Sequence, residues 1–385
     1  MKNSLRKLYF CAMENTIDNN IHASQVYPVI KKTPNMKGLF LNPFFEVSRS
    51  RIGLIKLDKK CDSNIKISRI PLATYFFFSP WYFFPIVFII LFIYLFTHCL
   101  FNRYEIIHCR HTLSGFVAIP IAKIFRIKVI SDIRGCYTDE GVLLGRWKDG
   151  SLSFHFYKKL ERFVYKHSQA VTGISPVMCS YIKSISPSTN PIYIPAIVDT
   201  ERIFYDEKIR DNARNELNIS EDDLCFIYVG SIGAWNSVDE LINQLNSAVN
   251  NMRIDRKKIH LIVLSKDSRF IDGLKKLPYR IYTNSVNPNE VNYYLNASDY
   301  GLLPGKKITS DSEKKVFEVM ISSKAEEYLC SGLKVISNDG IKYFQNLNQL
   351  NIFENHRSDI SSSFKNEFSL EKVLSSYASI YDNLR

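Results

Sequence analysis

Two α/β halves, each built on a parallel sheet, are predicted by three features of this 385-residue sequence. Short apolar runs alternate with helical segments through short connections, the pattern of consecutive βαβ units. The alternation breaks at the polar stretch 201–223, ERIFYDEKIRDNARNELNISEDD, and starts afresh at Leu224. A hydrophobic content of 46% over this length suffices for two cores of ordinary size. The expected division is an N-terminal domain over 1–205, a second over 206–368, and a C-terminal helix over 369–385 packing back on the first.

In the first half, residues 7–12 (KLYFCA) read as a buried strand, followed by a polar loop and a helix over 25–30. The stretch 104–111 (YEIIHCRH) reads as a strand, 115–125 as a helix, and 127–135 (IKVISDIRG) as a strand running into a loop. A basic, aromatic helix over 151–168, a strand at 169–175, a helix at 176–184 and a strand at 192–195 complete it. In the second half the strands are 225–231 (CFIYVGS), 259–264 (IHLIVL), 279–282, 299–303 and 334–337, with helices at 237–250, 269–276, 288–296 and 323–331.

Charge is distributed unevenly. Residues 1–130 hold 18 Lys and Arg against 6 Asp and Glu, whereas residues 131–385 hold 32 of each, so the net +12 resides in the first third. That third also contains the uncharged stretch from Ile70 to Asn102, whose run from Ile86 to Phe101 makes roughly 24 Å of helix against a hydrocarbon core of about 30 Å. Three arrangements fit it: a span, a core helix, or an element lying on a sheet with its other side in a membrane interface. A span between strands of one sheet would put those strands on opposite sides of the bilayer. The interfacial arrangement is therefore expected, with neighbouring Lys and Arg meeting anionic headgroups. The eight cysteines show no CxxC pair and no metal-ligand spacing, and are expected to be reduced thiols of a cytoplasmic protein on the inner face of the cell membrane. No metal or cofactor is expected. Nucleic acid is not an expected partner, because no zinc, helix-turn-helix or RNA-binding signature accompanies the charge.

The segment from Ser322 to Ile336, SSKAEEYLCSGLKVI, carries the most chemistry. Ser323 and Glu326 have capping-box spacing, and Gly332 suits a left-handed helix stop. The resulting helix N-terminus presents free amides, which favour an anion, and Lys324 adds a full positive charge in the first turn. A lysine there opposes the helix dipole, so a bound anion explains it better than helix stability does.

The pattern K-x-x-E-Y-L-x-x-G-L-x-V-I, read as Lys324, Glu327, Tyr328, Leu329, Gly332, Leu333, Val335 and Ile336, resembles the donor-site motif of family-4 retaining glycosyltransferases of the GT-B fold. The strand at 105–111, the segment 194–204, the strand at 226–231 and the stretch 296–304 resemble further landmarks in the family's order. The resemblance implies two Rossmann-like domains facing a central cleft. It also implies a nucleotide-sugar donor and, with the basic apolar third, a lipid-linked saccharide acceptor at an anionic membrane surface in bacterial surface polysaccharide synthesis. By the same resemblance Glu327 holds the ribose hydroxyls, Lys324 with the nearby helix N-terminus holds the diphosphate, Gly230 and Ser231 line it, and Ser323 and Tyr328 are further donor-binding residues.

Departures from the pattern matter. Ser231 stands where many members carry an Arg, and Lys306 or Lys307 are possible substitutes, against a reading of both as solvated surface groups. Asp132 and Arg134 occupy a loop that often bears a sugar-contacting His; they are either catalytic substitutes or a buried ion pair. His111 is either an acceptor-positioning group or a satisfied structural histidine. An epimerase on the same scaffold and a membrane-attached scaffold protein with a degenerate donor site are the rival expectations.

Overall fold

The structure is a computed structural model and describes residues 5–12, 14, 21–43, 64–70, 84–231, 236–253, 255–266, 273–274, 276–319, 322–337 and 356–385. It divides into two compact units, Met1–Pro195 with Leu370–Arg385, and Ala196–Ser369. The border falls after Pro195 rather than after residue 205. The intervening residues bind within the second unit: Val198 N–H donates to Phe368 O at 2.9 Å and Phe204 N–H to the Asn292 side chain at 3.0 Å.

The first unit is built on a seven-stranded, wholly parallel sheet in the order β3-β2-β1-β4-β5-β6-β7. Its strands are β1 (Lys7–Ala12), β2 (Met36–Pro43), β3 (Ile65–Ile70), β4 (Ile106–Arg110), β5 (Lys128–Ile133), β6 (Ala170–Gly173) and β7 (Ile192–Tyr193). Every residue of β1 and β4 is buried, as expected of central strands in a parallel sheet, and the polar His108 and Arg110 of β4 are met by Tyr381 and Glu14. The described helices are α1 (Tyr27–Lys32), α2 (Phe84–Phe101), α3 (His111–Phe125), α4 (Tyr137–Leu143), α5 (Leu152–His167) and α6 (Pro176–Ile185). Side-chain caps start two of them: the Ser151 hydroxyl accepts Phe154 N–H, and the Ser175 hydroxyl accepts Met178 N–H. On α5, Tyr157, Leu160 and Val164 are buried at helical spacing.

The second unit has a five-stranded parallel sheet, β10-β9-β8-β11-β12, formed by β8 (Leu224–Val229), β9 (Ile259–Leu264), β10 (Arg280–Asn284), β11 (Tyr300–Leu303) and β12 (Lys334–Ser337). Its described helices are α7 (Glu207–Glu216), α8 (Val238–Met252), α9 (Val291–Ala297), α10 (Asp311–Val319), α11 (Ser323–Cys330) and α12 (Arg357–Phe368). Phe226, Tyr228, Leu261, Val263 and Leu302 from the sheet bury with Leu241 and Leu245 of α8 in one core. The helix expected at 269–276 lies largely outside the described residues. The closing helix, α13 (Leu370–Asn383), belongs to the first unit, where the Tyr381 hydroxyl lies 2.8 Å from His108 Nδ1 and the Tyr377 hydroxyl accepts from Arg134 at 2.7 Å.

Strands β2 and β3 and helices α4, α10 and α12 escaped the sequence reading. Strand β3, IKISRI, has three apolar residues interrupted by Lys66 and by the Ser68–Arg69 pair at a sheet edge, and α10, DSEKKVFEV, buries a narrow stripe beneath a charged face.

Candidate functional site

In an open parallel sheet the crevice for a ligand lies beyond the strand C-termini where the strand order reverses. In the second unit that point is between β8 and β11. Gly230 follows β8 there with φ of +126°, a conformation that side chains rarely adopt. Lys324, in the first turn of α11, crosses this glycine. Its Nζ donates to the Tyr228 hydroxyl at 3.1 Å and sits 4.7 Å above that ring. A Cβ on Gly230 would come within 2.5 Å of Lys324 Cε and 2.6 Å of Nζ. Burial lowers the Lys324 pKa to about 8, with Glu327 acting in the opposite sense. Glu327 is itself pushed up by burial, against the pull of Arg202, whose Nη2 donates to Glu327 Oε1 at 3.2 Å.

The arrangement is a partly desolvated ammonium beside a backbone bend and a helix N-terminus, with a carboxylate one helical turn away. It suits an anion at Lys324 and hydroxyl groups at Glu327. Gly230→Ala should therefore remove binding of a phosphate-bearing ligand while leaving the rest of the second unit folded; titration calorimetry with a nucleoside diphosphate checks this, and unchanged affinity would detach Gly230 from the site.

The expected capping box is corrected. The N-cap is Ser322, whose hydroxyl accepts Lys324 N–H at 3.4 Å, and Ser323 is the exposed first helical residue. Gly332 does end the helix in the left-handed region, at φ of +72°. Tyr328 lies behind the site rather than in it: it is wholly buried, its ring fills the space over Gly301, and its hydroxyl accepts Val229 N–H at 3.0 Å. It braces the end of β8 that presents Gly230. Ser231 is exposed and offers its carbonyl to the Tyr228 hydroxyl at 3.0 Å. Lys306 and Lys307 are both exposed, and Lys306 pairs with Glu313 at 3.6 Å. Tyr228 and Arg202 were missed by sequence reasoning. Strand alternation from Gly230 would have flagged Tyr228, but nothing local marks Arg202.

In the first unit the strand order reverses between β1 and β4, and a second polar group gathers there. Glu14, just beyond β1, accepts from Arg110 Nε at 3.1 Å and Cys11 Sγ at 3.1 Å, and lies 3.1 Å from His22 Nε2. Its other oxygen is 2.9 Å from His111 Nε2. Burial opposes the charge on Glu14, yet His111 and Arg110 hold its carboxyl well below the usual carboxylate range. Since a carboxylate only accepts, His111 Nε2 carries a proton. His111 also has φ of +65°, a strained conformation for a residue other than glycine, placed at the sheet's ligand edge. Cys11, Glu14 and His22 have donor atoms mutually within 4.8 Å, close enough for a metal ion, but the Arg110 guanidinium already supplies the countercharge.

Asp132 and Arg134 form the buried ion pair. Arg134 Nε donates to Asp132 Oδ2 at 2.8 Å, and Thr172 Oγ1 donates to Oδ1 at 2.7 Å. Asp132 is 1% exposed. Burial opposes ionisation of Asp132, but Arg134 and His108 outweigh it and hold the carboxyl far below its ordinary value. With both carboxylate oxygens engaged and the guanidinium also bonded to Tyr377 and the Pro195 carbonyl, the pair joins β5, β6 and α13.

Neither a protein-family model nor a curated protein matches this sequence. Solved structures do match over nearly the whole length. Sucrose-phosphate synthase from Thermosynechococcus elongatus superposes with a TM-score of 0.64 at 14% identity, covering 98% of this chain and 99% of that one. The lipopolysaccharide outer core galactosyltransferase WaaB gives 0.62 at 13% identity, again over 98% and 99%. The chain has the GT-B fold. Anabaena HepE, solved in complex with UDP-glucose, shares that GT-B architecture with a TM-score of 0.61 at 10% identity over 98% of this chain and 99% of that one. At these identities the likeness establishes the GT-B fold and leaves the activity to be argued from the site.

Proposed function

We propose that this chain is a glycosyltransferase that moves a sugar, with retention, from a nucleoside diphosphate sugar to a hydroxyl of a lipid-linked or oligosaccharide acceptor in bacterial surface polysaccharide synthesis. The observation that carries the reading is Lys324, half-desolvated over Gly230 at the sheet's switch point with Glu327 one turn further along. Among GT-B neighbours, HepE has been solved with UDP and with UDP-glucose, which favours a uridine nucleotide.

In this reading the bond between the anomeric carbon and a diphosphate oxygen breaks while a bond from that carbon to the acceptor oxygen forms. Lys324 and the α11 N-terminus stabilise the charge developing on the departing diphosphate, which is the main demand of the reaction. The acceptor proton passes to a leaving phosphate oxygen. Glu327 holds the ribose hydroxyls, exchanging its bond with Arg202 for theirs. On the first unit, His111, anchored by Glu14 at Nε2, is the group proposed for contact with the acceptor hydroxyl.

A thermal-shift panel of UDP-, GDP-, CMP- and CDP-linked sugars tests this. One nucleotide class should raise the melting temperature of wild type, and Glu327→Ala should lose that response, because a ligand at 100 times its Kd stabilises by about 2.7 kcal/mol. No response to any donor would instead favour a scaffold with a degenerate site, as the exposed Ser231 in place of a basic residue would allow.

A further inference from the structure

Helix α2 is apolar on both sides, and only one side is used inside the protein. Phe84, Val87, Leu91, Leu95 and Cys99 are buried at spacings of three and four residues. On the opposite side Ile86, Ile89, Ile93 and Leu100 are each half exposed or more, and Phe101 is 83% exposed. Thr97, like Tyr94 an exposed hydroxyl-bearing residue of this helix, donates to the carbonyls of Ile93 and Tyr94 at 2.8 and 3.0 Å, so it turns back onto its own helix instead of toward water. His98 donates or accepts at the Tyr104 hydroxyl, 3.0 Å away, and burial followed by the charges of Lys66 and Lys37 lowers its pKa to about 4, leaving the ring neutral. The helix carries no acidic or permanently basic residue.

Its length, roughly 27 Å, and composition would suit a membrane span. The fold forbids one. Strands β3 and β4, which precede and follow α2, lie in the same sheet. Helix α2 also runs alongside α3, with Phe84 against Phe116 at one end, 5.5 Å between ring centres, and Phe96 against Phe125 at the other, 5.2 Å apart. Near the α2 C-terminus the exposed Lys37 and Lys66 act on His98, Arg103 follows just after the helix, and the exposed Lys123 and Arg126 flank Phe125, which meets Phe96.

We propose that the outer face of α2 is a membrane-interface surface: it lies in the plane of an anionic leaflet, with Ile86, Ile89, Ile93 and Leu100 in the acyl boundary and the basic rim on the headgroups. The occupant is a lipid surface rather than a protein groove, because a convex, uncharged helix face bordered by cations matches acyl chains beneath anionic headgroups in both chemistry and charge sign. This inference stands apart from the donor-site reading. It does, however, place the chain where a lipid-linked acceptor would be.

Co-sedimentation of the full chain with vesicles of phosphatidylcholine, with and without phosphatidylglycerol, tests it. Wild type should pellet with the anionic vesicles, and added salt should weaken the association. Replacing Ile89→Glu and Ile93→Glu together, both already exposed, should lower vesicle binding by roughly tenfold or more without changing the melting temperature. Lys123→Glu with Arg103→Glu should reduce binding to anionic vesicles only. Retention of wild type in the supernatant with both vesicle types would overturn the proposal, as would unchanged binding of the double isoleucine variant. Dimerisation of wild type, lost in that variant and unaccompanied by vesicle binding, would reassign the face to a second copy of the chain. Because none of these readouts involves a nucleotide, their failure is distinguishable from failure of the donor site.

Discussion

Lys324→Ala is expected to weaken binding of a nucleotide-sugar donor about a hundredfold while leaving the melting temperature of the free protein nearly unchanged. The two halves of this expectation have one cause. In the empty site the ammonium is desolvated and, among the described residues, is met by Glu327 and by the hydroxyl and ring of Tyr228, with no ion pair at contact distance, so its loss removes little native stabilisation. With a diphosphate bound, the same ammonium becomes half of a charge-assisted pair, and losing one member of such a pair costs about 3 kcal/mol, on the order of a hundredfold in affinity. The pH dependence follows with a definite sign. Lys324 titrates near pH 8 in the empty site, so the cation is present below that value and lost above it. Donor affinity should hold from about pH 6 to about pH 7.5 and then decline, since a sugar-linked diphosphate keeps both its charges throughout this range. Calorimetric Kd values across that range check it. A flat profile for Lys324→Ala and a falling one for wild type is the expected pair; parallel profiles would mean that another group binds the phosphates.

Asp132→Asn has the largest expected effect on stability. The substitution keeps the shape but leaves the Arg134 guanidinium buried against an amide, and it disturbs the bond from Thr172 and the contact with His108. Breaking a buried ion pair on one side costs about 3 to 5 kcal/mol, a drop of about 10 °C in melting temperature for a unit of this size. For the native protein the sign is that of a depressed carboxyl: the stabilisation is fully present above the unfolded value of about 4 and is lost as pH falls below it toward the folded value. Scanning calorimetry at neutral pH and in acid checks both statements. An Asp132→Asn variant that melts with wild type but loses transfer activity would return the residue to a catalytic role.

Much of the fold is visible in the sequence because parallel strands buried on both faces are written as short, continuous apolar runs. KLYFCA and IHLIVL correspond residue for residue to β1 and β9. Lys324, Glu327 and Gly230 were likewise legible, since a lysine set against a helix dipole and a glycine at a strand end are local anomalies that need a reason. Edge and amphipathic elements such as β3 and α10 were not, because their apolar residues are few and their identity as strand or helix comes from a neighbour. Ser323 was mistaken for the cap because Ser322 and Ser323 are equivalent on paper, and only the backbone angles of Ser322 (φ −86°, ψ 131°) place it outside the helix.

The sequence by itself thus determined two parallel-sheet halves, a helix start at Ser323 and Lys324, and an apolar segment with cations on its flanks. Only the tertiary structure decided that Asp132 and Arg134 are committed to each other, that Tyr328 braces β8 from behind, and that Glu14 meets His111 across the switch point. It also decided which face of α2 is left exposed. The physical reason is range. Periodicity, capping and backbone conformation are set within a few residues, whereas Glu14 meets His111 across 97 positions, Tyr328 meets Val229 across 99, and the Asp132–Arg134 pair is buried by Tyr377, 243 positions from Arg134, all only once the sheets have formed.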